Sequence, residues 1–378
     1  MNKEISSIFY ENKTNLQIAK EQEIQFKDFV KYHMPGCKYL SCRSSYSSTR
    51  YVIECDPQMI TFYTGKKIER QLDASFDING CVISQDGKKL VIDVPNKRID
   101  IFHFKNALEV IDKFDYKKDN AIKAYAGEFV KGEPNIINFN DSKSILIGGM
   151  TGSGKSVCLH NILVSMLLGY SEKELIMYMI DGKDIELTGY KGIPQVIEET
   201  GDKEEAVKVT KHILNEIDRR KSLLNKDGYR SLSSYNKDMS ENDKLPEIML
   251  IIEEVDILFQ KESNSDITTE HLYKNINTII KQGRFVGIHI IFTSQRPSAK
   301  SIGTDIRSQI GGIIALKVKE KIDSTMILGT KDAVNLNGNG DAYLKRSDNV
   351  IERFQCSIID DDELRKVQKY LKTCKPES

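Results

Sequence analysis

Eight residues, Gly149-Met150-Thr151-Gly152-Ser153-Gly154-Lys155-Ser156, carry the most legible chemistry in this chain. They follow the apolar run Ser144 to Ile147. They precede Leu159, Ile162, Leu163, Met166 and Leu167, which share one face at helical spacing until Gly169 closes the segment. A glycine-rich loop between a strand and a helix turns backbone N–H groups and the positive helix end toward one point, and a phosphate chain fills that point. Gly149, Thr151, Gly152, Ser153, Gly154, Lys155, Ser156 and Val157 are therefore expected around a nucleoside triphosphate. Lys155 would meet the β- and γ-phosphates and Ser156 a magnesium ion, which makes ATP and Mg2+ the expected ligands. The bland alternative, a glycine turn with no ligand, does not account for the strand and helix on either side.

Such a site needs one carboxylate to hold magnesium through water and usually a second to activate the attacking water, both at the end of a core strand. Met249-Leu250-Ile251-Ile252-Glu253-Glu254 supplies two acids after four apolar residues. Glu253 is the expected metal-side acid and Glu254 the better general base. Where the first acid is ordinarily Asp, the extra methylene of Glu253 moves the carboxylate outward by about 1.5 Å, comparable to misplacements that cost a hundredfold in rate. Slow hydrolysis is one consequence. Thr293-Ser294-Gln295-Arg296-Pro297 follows another apolar strand, which puts Gln295 near the γ-phosphate as a sensor. Arg284 is a candidate arginine finger toward a neighbouring subunit's phosphate, with a solvated surface Arg as the plain alternative.

These groups must be positioned by a sheet. Ser144 to Gly148, Leu175 to Ile180, Ile248 to Ile252, Ile288 to Thr293 and Ile313 to Val318 are apolar runs spaced by helical patterns, the longest of them Glu204 to Leu224. Buried runs spaced in this way indicate an α/β fold with a parallel sheet over residues 141–378. Residues 34–140 read differently, as a small α+β subdomain: β-like runs at Tyr51 to Cys55, Met59 to Tyr63, Cys81 to Ser84, Lys89 to Val94 and Arg98 to Phe104, with turns at Asp86-Gly87 and Pro95-Asn96. Residues 1–33 read as a helical leader.

At 378 residues, with 39% hydrophobic and 29% charged content, the chain is an ordinary soluble globular protein with room for two domains. No stretch approaches the roughly 18 consecutive apolar residues of a membrane helix, and no signal peptide is present, which points to the cytosol. Seven cysteines, an odd number without a C-x-x-C pair, argue against a disulfide framework and against zinc. Lys plus Arg and Asp plus Glu balance at 55 each, so any nucleic-acid contact must be local. The polar segments Gln260 to Glu270, with Lys261, and Ser298 to Arg307, with Lys300 and Arg307, come after the two strands of the site and are the candidate DNA-facing loops.

The ordered series of segments resembles the motor module of the FtsK/SpoIIIE family of DNA-translocating ATPases. Besides the phosphate loop it includes Met179 to Leu187 with Tyr190-Lys191-Gly192-Ile193-Pro194, Glu216-Ile217-Asp218-Arg219-Arg220 with Gly228 and Tyr235-Asn236, Gly287-Ile288-His289, Ser294-Gln295-Arg296-Pro297, Lys321-Ile322-Asp323-Ser324 and Gly338-Asn339-Gly340-Asp341. Arg50-Tyr51, Val94-Pro95-Asn96, Gly127, Gly132 and Pro134 resemble that family's α-subdomain, so the resemblance spans residues 35–372. It implies a RecA-like P-loop NTPase core, hexameric rings around double-stranded DNA, ATP bound between subunits, and movement of DNA through the pore. Three positions depart from the family pattern: Glu253 for Asp, Gly182 for Pro and Thr325 for Arg. The residues after the resemblance are too few for the family's winged-helix domain and no membrane span is found, so the expectation is that a membrane-anchored partner recruits the motor, that the sequence is part of a longer membrane protein, or that it works free in the cytosol. A Lys-, Asn- and Ile-rich composition resembles proteins of AT-rich bacteria and their plasmids or conjugative elements, which makes DNA transfer or segregation the expected setting. Two rival readings are an ATPase that moves protein, as in type VII secretion, and an ATP-binding scaffold that hydrolyses weakly.

Overall fold

The computed structural model describes residues 16–44, 48–78, 80–96, 103–113, 121–129, 133–261, 266–295 and 302–373. The first part of the leader, Arg98 to Phe102 of one expected strand, Gly132, Arg296, Pro297 and Lys300 lie outside them.

Among the described residues, fourteen strands form two sheets. β1 (Cys37–Ser44), β2 (Ser48–Cys55), β3 (Val82–Asp86) and β4 (Lys89–Pro95) make an antiparallel sheet in the order β1-β2-β4-β3. The helix Leu16–His33 covers it, burying Phe26, Phe29 and Val30 against Tyr51, Leu72 and Ile92. Phe26 stacks on Tyr51 with ring centroids 3.8 Å apart, so the leader helix is part of this small core.

Two expectations fail here. Met59 to Tyr63 is not a strand: Pro57–Tyr63 is a helix, because Asp56 accepts from the Gln58 N–H at 3.1 Å and Pro57 sits in the first turn, where a missing N–H costs nothing. Cys37 and Cys55 are joined as a disulfide, so one pair is bridged although the count is odd and the spacing shows no motif. The two are register partners on β1 and β2, which brings their side chains together.

The second sheet has ten strands among the described residues. In chain order they are β5 (Lys123–Phe129), β6 (Pro134–Asn138), β7 (Ser144–Gly148), β8 (Leu175–Asp181), β9 (Val196–Thr200), β10 (Glu247–Glu253), β11 (Ile288–Ser294), β12 (Gly312–Leu316), β13 (Asp341–Lys345) and β14 (Ile351–Gln355). Their order is β6-β5-β14-β13-β12-β7-β11-β10-β8-β9. From β12 to β9 all pairs are parallel. Beyond β12, toward β6, all are antiparallel. Strands β5 and β6 thus belong to the large sheet, although their sequence lies within the segment expected to form the α+β subdomain. Gly127 lets β5 approach β14, since a Cβ there would stand 2.1 Å from the Gln355 carbonyl oxygen.

β7, β10 and β11 are buried along their whole length, as strands covered on both faces must be. Along β10, Met249 and Ile251 join the core beneath the helix Lys155–Gly169, while Ile248, Leu250 and Ile252 join the core beneath the helices Lys203–Lys226 and Ile267–Gln282. The alternation is the two-residue period of a strand read out on opposite layers. Among the described residues no helix is long and apolar enough to cross a membrane.

Candidate active site

The parallel strands all end on one edge of the sheet, and the polar residues singled out in the sequence gather there. The phosphate loop leaves β7, Lys183 and Glu186 come after β8, Glu253 ends β10, Glu254 is next in the chain, and Gln295 comes after β11. In an open α/β sheet the crevice outside the carboxyl ends of the strands is where ligands bind. A cleft of 390 Å³ occupies that position, lined among others by Thr151, Lys155, Ser156, Lys183, Glu253 and Gln295.

The loop is held from three sides. Gly149 N–H donates to the Ser294 carbonyl at 3.3 Å, Met150 N–H to that of Lys317 at 3.0 Å, and Gly340 N–H to that of Ser153 at 2.9 Å. Gly154 has φ +100°, and a Cβ there would lie 2.6 Å from the Gly340 nitrogen, so this position excludes side chains for two independent reasons. Lys155 opens the next helix with its side chain buried.

Two acids meet the lysine, and one of them gathers two further side chains. Lys155 Nζ is ion-paired with Glu254 and stands 3.7 Å from Glu253 Oε1. Glu254 Oε1 also accepts from Lys183 Nζ at 3.0 Å and from Gln295 Nε2 at 2.8 Å. Gln295 Oε1 in turn accepts from the Thr151 hydroxyl at 3.0 Å, which ties the strand-end glutamine to the phosphate loop. Glu254 adopts a left-handed conformation, φ 50° and ψ 56°, and its N–H donates to Thr293 Oγ1 at 2.8 Å. A non-glycine residue held there is strained, and such strain clusters at functional sites.

The two acids differ in state. Burial opposes ionisation of Glu254, but Lys155, Lys183 and Gln295 overcome it and hold its carboxyl below the ordinary range. Burial pushes the Glu253 carboxyl up to about 7, with Lys155 offsetting part of the shift and the charges of Glu254 and Asp181 adding to it. Glu253 Oε2 is buried without a hydrogen-bond partner among the described residues. A buried carboxylate oxygen left unsatisfied calls for a cation or an ordered water.

The donors fit magnesium. Ser156 and Glu253 offer hard oxygens beside the phosphate loop, and magnesium is commonly held by one or two carboxylates plus substrate phosphates and waters rather than by a protein cage. Among the described residues no three His, Cys, Asp or Glu side chains converge as such a cage.

Several participants are given no role in the motif reading. Ser156 Oγ donates to Glu186 Oε1 at 3.0 Å, and Glu186 Oε2 lies 3.6 Å from His160 Nε2. Contact with His160, then Ser156 and Lys155, keeps the Glu186 carboxyl below the ordinary range against the effect of burial. The available signal was position: a strand ending in Asp181, with Lys183 and Glu186 within the next five residues, repeats the acid-after-strand pattern of Glu253.

Arg284 does not join this cluster. It precedes β11, at the opposite edge of the sheet from the phosphate loop, exposed and lying over the neighbouring Phe285 ring at 5.2 Å. Lys261 is exposed beyond the short helix after Glu254. Arg307 ends the helix Thr304–Arg307, half-buried, with its pKa lowered by burial.

The model of the FtsK/SpoIIIE family matches residues 109–334, a span that contains the phosphate loop, both strand-end acids, Glu186 and Gln295. The chain belongs to the FtsK/SpoIIIE family. It is 31% identical over 328 residues to the DNA translocase SpoIIIE of Bacillus subtilis, covering 82% of this chain and 41% of that protein. It is 32% identical over 290 residues to the DNA translocase FtsK of Staphylococcus aureus, covering 74% of this chain and 36% of that one. The chain thus spans less than half the length of these relatives. Among solved structures, the pCW3 conjugation coupling protein TcpA with ATPγS superposes with a TM-score of 0.63 at 24% identity, over 94% of this chain and 99% of that one. The cytoplasmic domain of the Thermomonospora curvata type VII secretion ATPase EccC gives 0.60 at 21% identity, over 73% of this chain and 35% of that one. At these identities both likenesses show the fold: a large sheet with a parallel core, shared with P-loop ATPases.

Proposed function

We propose that the chain is an ATP-driven motor that moves double-stranded DNA, acting in DNA transfer or segregation. The observation that carries this reading is the convergence of Lys155, Glu253, Glu254 and Gln295 at the mouth of the phosphate loop, in a chain whose family relatives are named DNA translocases.

The loop N–H groups and the positive end of the helix Lys155–Gly169 receive the phosphates, and Lys155 exchanges its contact with Glu254 for phosphate oxygens. Ser156 and Glu253 would hold magnesium, which when bound would supply charge neutralisation of the transferring phosphoryl group. Once Lys155 turns to phosphate, Glu254 keeps Lys183 and Gln295 as partners and has an ionised oxygen with which to take a proton from the attacking water. Gln295 touches both Glu254 and Thr151, so it registers whether the γ-phosphate is in place and passes that state to the segment after β11.

Arg284 acts on phosphate across a subunit boundary, which suits a ring; the proposed ring is hexameric, in the cytoplasm, with a membrane-bound partner as its anchor. Lys261, Lys300 and Arg307 are the proposed DNA-facing side chains.

The test is steady-state ATP hydrolysis with and without linear duplex DNA at low salt, where phosphate contacts are strongest. The wild type is stimulated by DNA, and Lys155→Ala lowers kcat by about 100-fold or more. Absence of DNA stimulation in the wild type refutes the motor reading.

A further inference from the structure

The Ser156 hydroxyl has one hydrogen and two lone pairs. When a lone pair faces a metal ion the hydrogen must go to some other acceptor, and the acceptor decides where the lone pair points. Here the hydroxyl donates to Glu186 at 3.0 Å, while Glu253 at the end of β10 lies toward Lys155.

Glu186 is built into place. Asp181, fully buried at the end of β8, accepts the N–H of Lys183 at 3.0 Å on one oxygen and those of Ile185, Glu186 and Leu187 at 2.9, 2.7 and 3.0 Å on the other. The segment is thus wound around a single carboxylate, which fixes the backbone of Glu186 opposite the phosphate loop. On its far side His160 Nε2 stands 3.6 Å from Glu186 Oε2, and His160 Nδ1 shares a hydrogen bond of 2.9 Å with the buried Tyr190 hydroxyl. His160 lies one helical turn beyond Ser156 on the same helix, so helix, Glu186 and Tyr190 form one connected unit.

We infer that Glu186 is a positioning residue that accepts the hydrogen bond of the Ser156 hydroxyl and so aims the serine lone pair at magnesium, with His160, itself held by Tyr190, keeping the carboxylate in place. This division of labour frees Glu253, which lies toward Lys155, to face the ion with its unpartnered oxygen. The inference rests on the nucleotide-site reading.

It is tested by calorimetric titration of the full chain with ATPγS, once with saturating magnesium and once in excess chelator. The ratio of the two affinities reads the metal's contribution separately from the phosphate loop. Glu186→Ala is expected to lower that ratio by about 10- to 100-fold, the usual loss on removing a partner behind a metal ligand, and to leave the chelator value within about threefold of wild type. Glu186→Gln, whose amide oxygen can accept the same hydrogen bond, is expected to restore most of the ratio, which a purely electrostatic role would not do, while a packing role would lower both affinities of Glu186→Ala together. An unchanged ratio in Glu186→Ala, an equal fall of both affinities, or a Gln variant no better than Ala overturns the inference. If the wild type binds no ATPγS at all, the nucleotide reading falls with it; if the wild type binds and only the ratio fails to move, the inference alone falls.

Discussion

Arg353 lies on β14, far from any motif, yet the turn against the phosphate loop depends on it. Its Nε and Nη2 donate to Asp341 Oδ1 and Oδ2 at 2.9 and 2.6 Å, and Asp341 also accepts the Asn337 N–H at 2.7 Å. Both side chains are buried, and the turn they pin, Gly338 to Gly340, presents Gly340 to Ser153 and Gly154. Arg353→Met keeps much of the volume and removes the charge, leaving the Asp341 carboxylate in the interior without its cation. Breaking a buried pair from one side costs about 3–5 kcal/mol, because the remaining charge is uncompensated. At roughly 2–4 °C per kcal/mol for larger domains, melting should fall by about 10 °C, and ATPγS affinity should fall with it. Asp341→Asn in the same background removes the stranded charge but keeps an acceptor for Asn337, so the double variant should recover at least half of the loss. A double-mutant cycle in urea is the assay, with a coupling energy of about 2 kcal/mol or more expected. A single-variant cost below about 1 kcal/mol, or a double variant at the sum of the singles, refutes the reasoning.

Gly154→Ala forces a Cβ into a left-handed backbone and against the Gly340 nitrogen at 2.6 Å; the strain of about 1–2 kcal/mol plus that contact should reduce ATPγS affinity by about 100-fold in calorimetry while the melting of the small β1–β4 sheet is unchanged. Acid should expose the Glu216 knot. Burial disfavours its charge, but Arg219 and Arg220, donating at 2.6 to 2.7 Å, pull its carboxyl down to about 2. A depressed carboxylate stabilises above the unfolded value near about 4.3 and loses that contribution as pH falls toward about 2. Glu216→Gln should therefore cost about 1–2 kcal/mol at neutral pH, after allowance for solvent screening, and the gap to wild type should close between about pH 4.3 and 2 in urea midpoints.

The phosphate loop, the strand–loop–helix around it and the five parallel strands named from apolar runs were legible in the chain because each is a local signal. Glycines set the loop, and the apolar face beginning at Leu159 sets the helix after it. The runs at 144–148, 175–180, 248–252 and 288–293 are covered on both sides of the sheet and so are apolar at nearly every position. Met59 to Tyr63 misled because a short apolar run has no decisive period, and the cap at Asp56 with Pro57 decided it. β5 and β6 lie within a stretch of β-like runs, and only pairing with β14 assigns them to the large sheet.

At the site the chain by itself determined which residue types were available: a lysine and a serine at the head of a helix, two consecutive acids after an apolar strand, and a glutamine after the next strand. The order of the two acids along the chain was the whole basis for expecting Glu253 on the metal side and Glu254 as base; their surroundings come from the fold. It turns Glu254 into a left-handed conformation onto Lys155, Lys183 and Gln295, while one buried oxygen of Glu253 has no partner among the described residues. The pairing of Ser156 with Glu186, thirty residues apart, and the placing of Arg284 at the far edge of the sheet are likewise products of the parallel strand order β12-β7-β11-β10-β8-β9. Local chemistry is written along the chain, but which groups meet is set by crossovers between strands, and those distances appear only when the sheet is assembled.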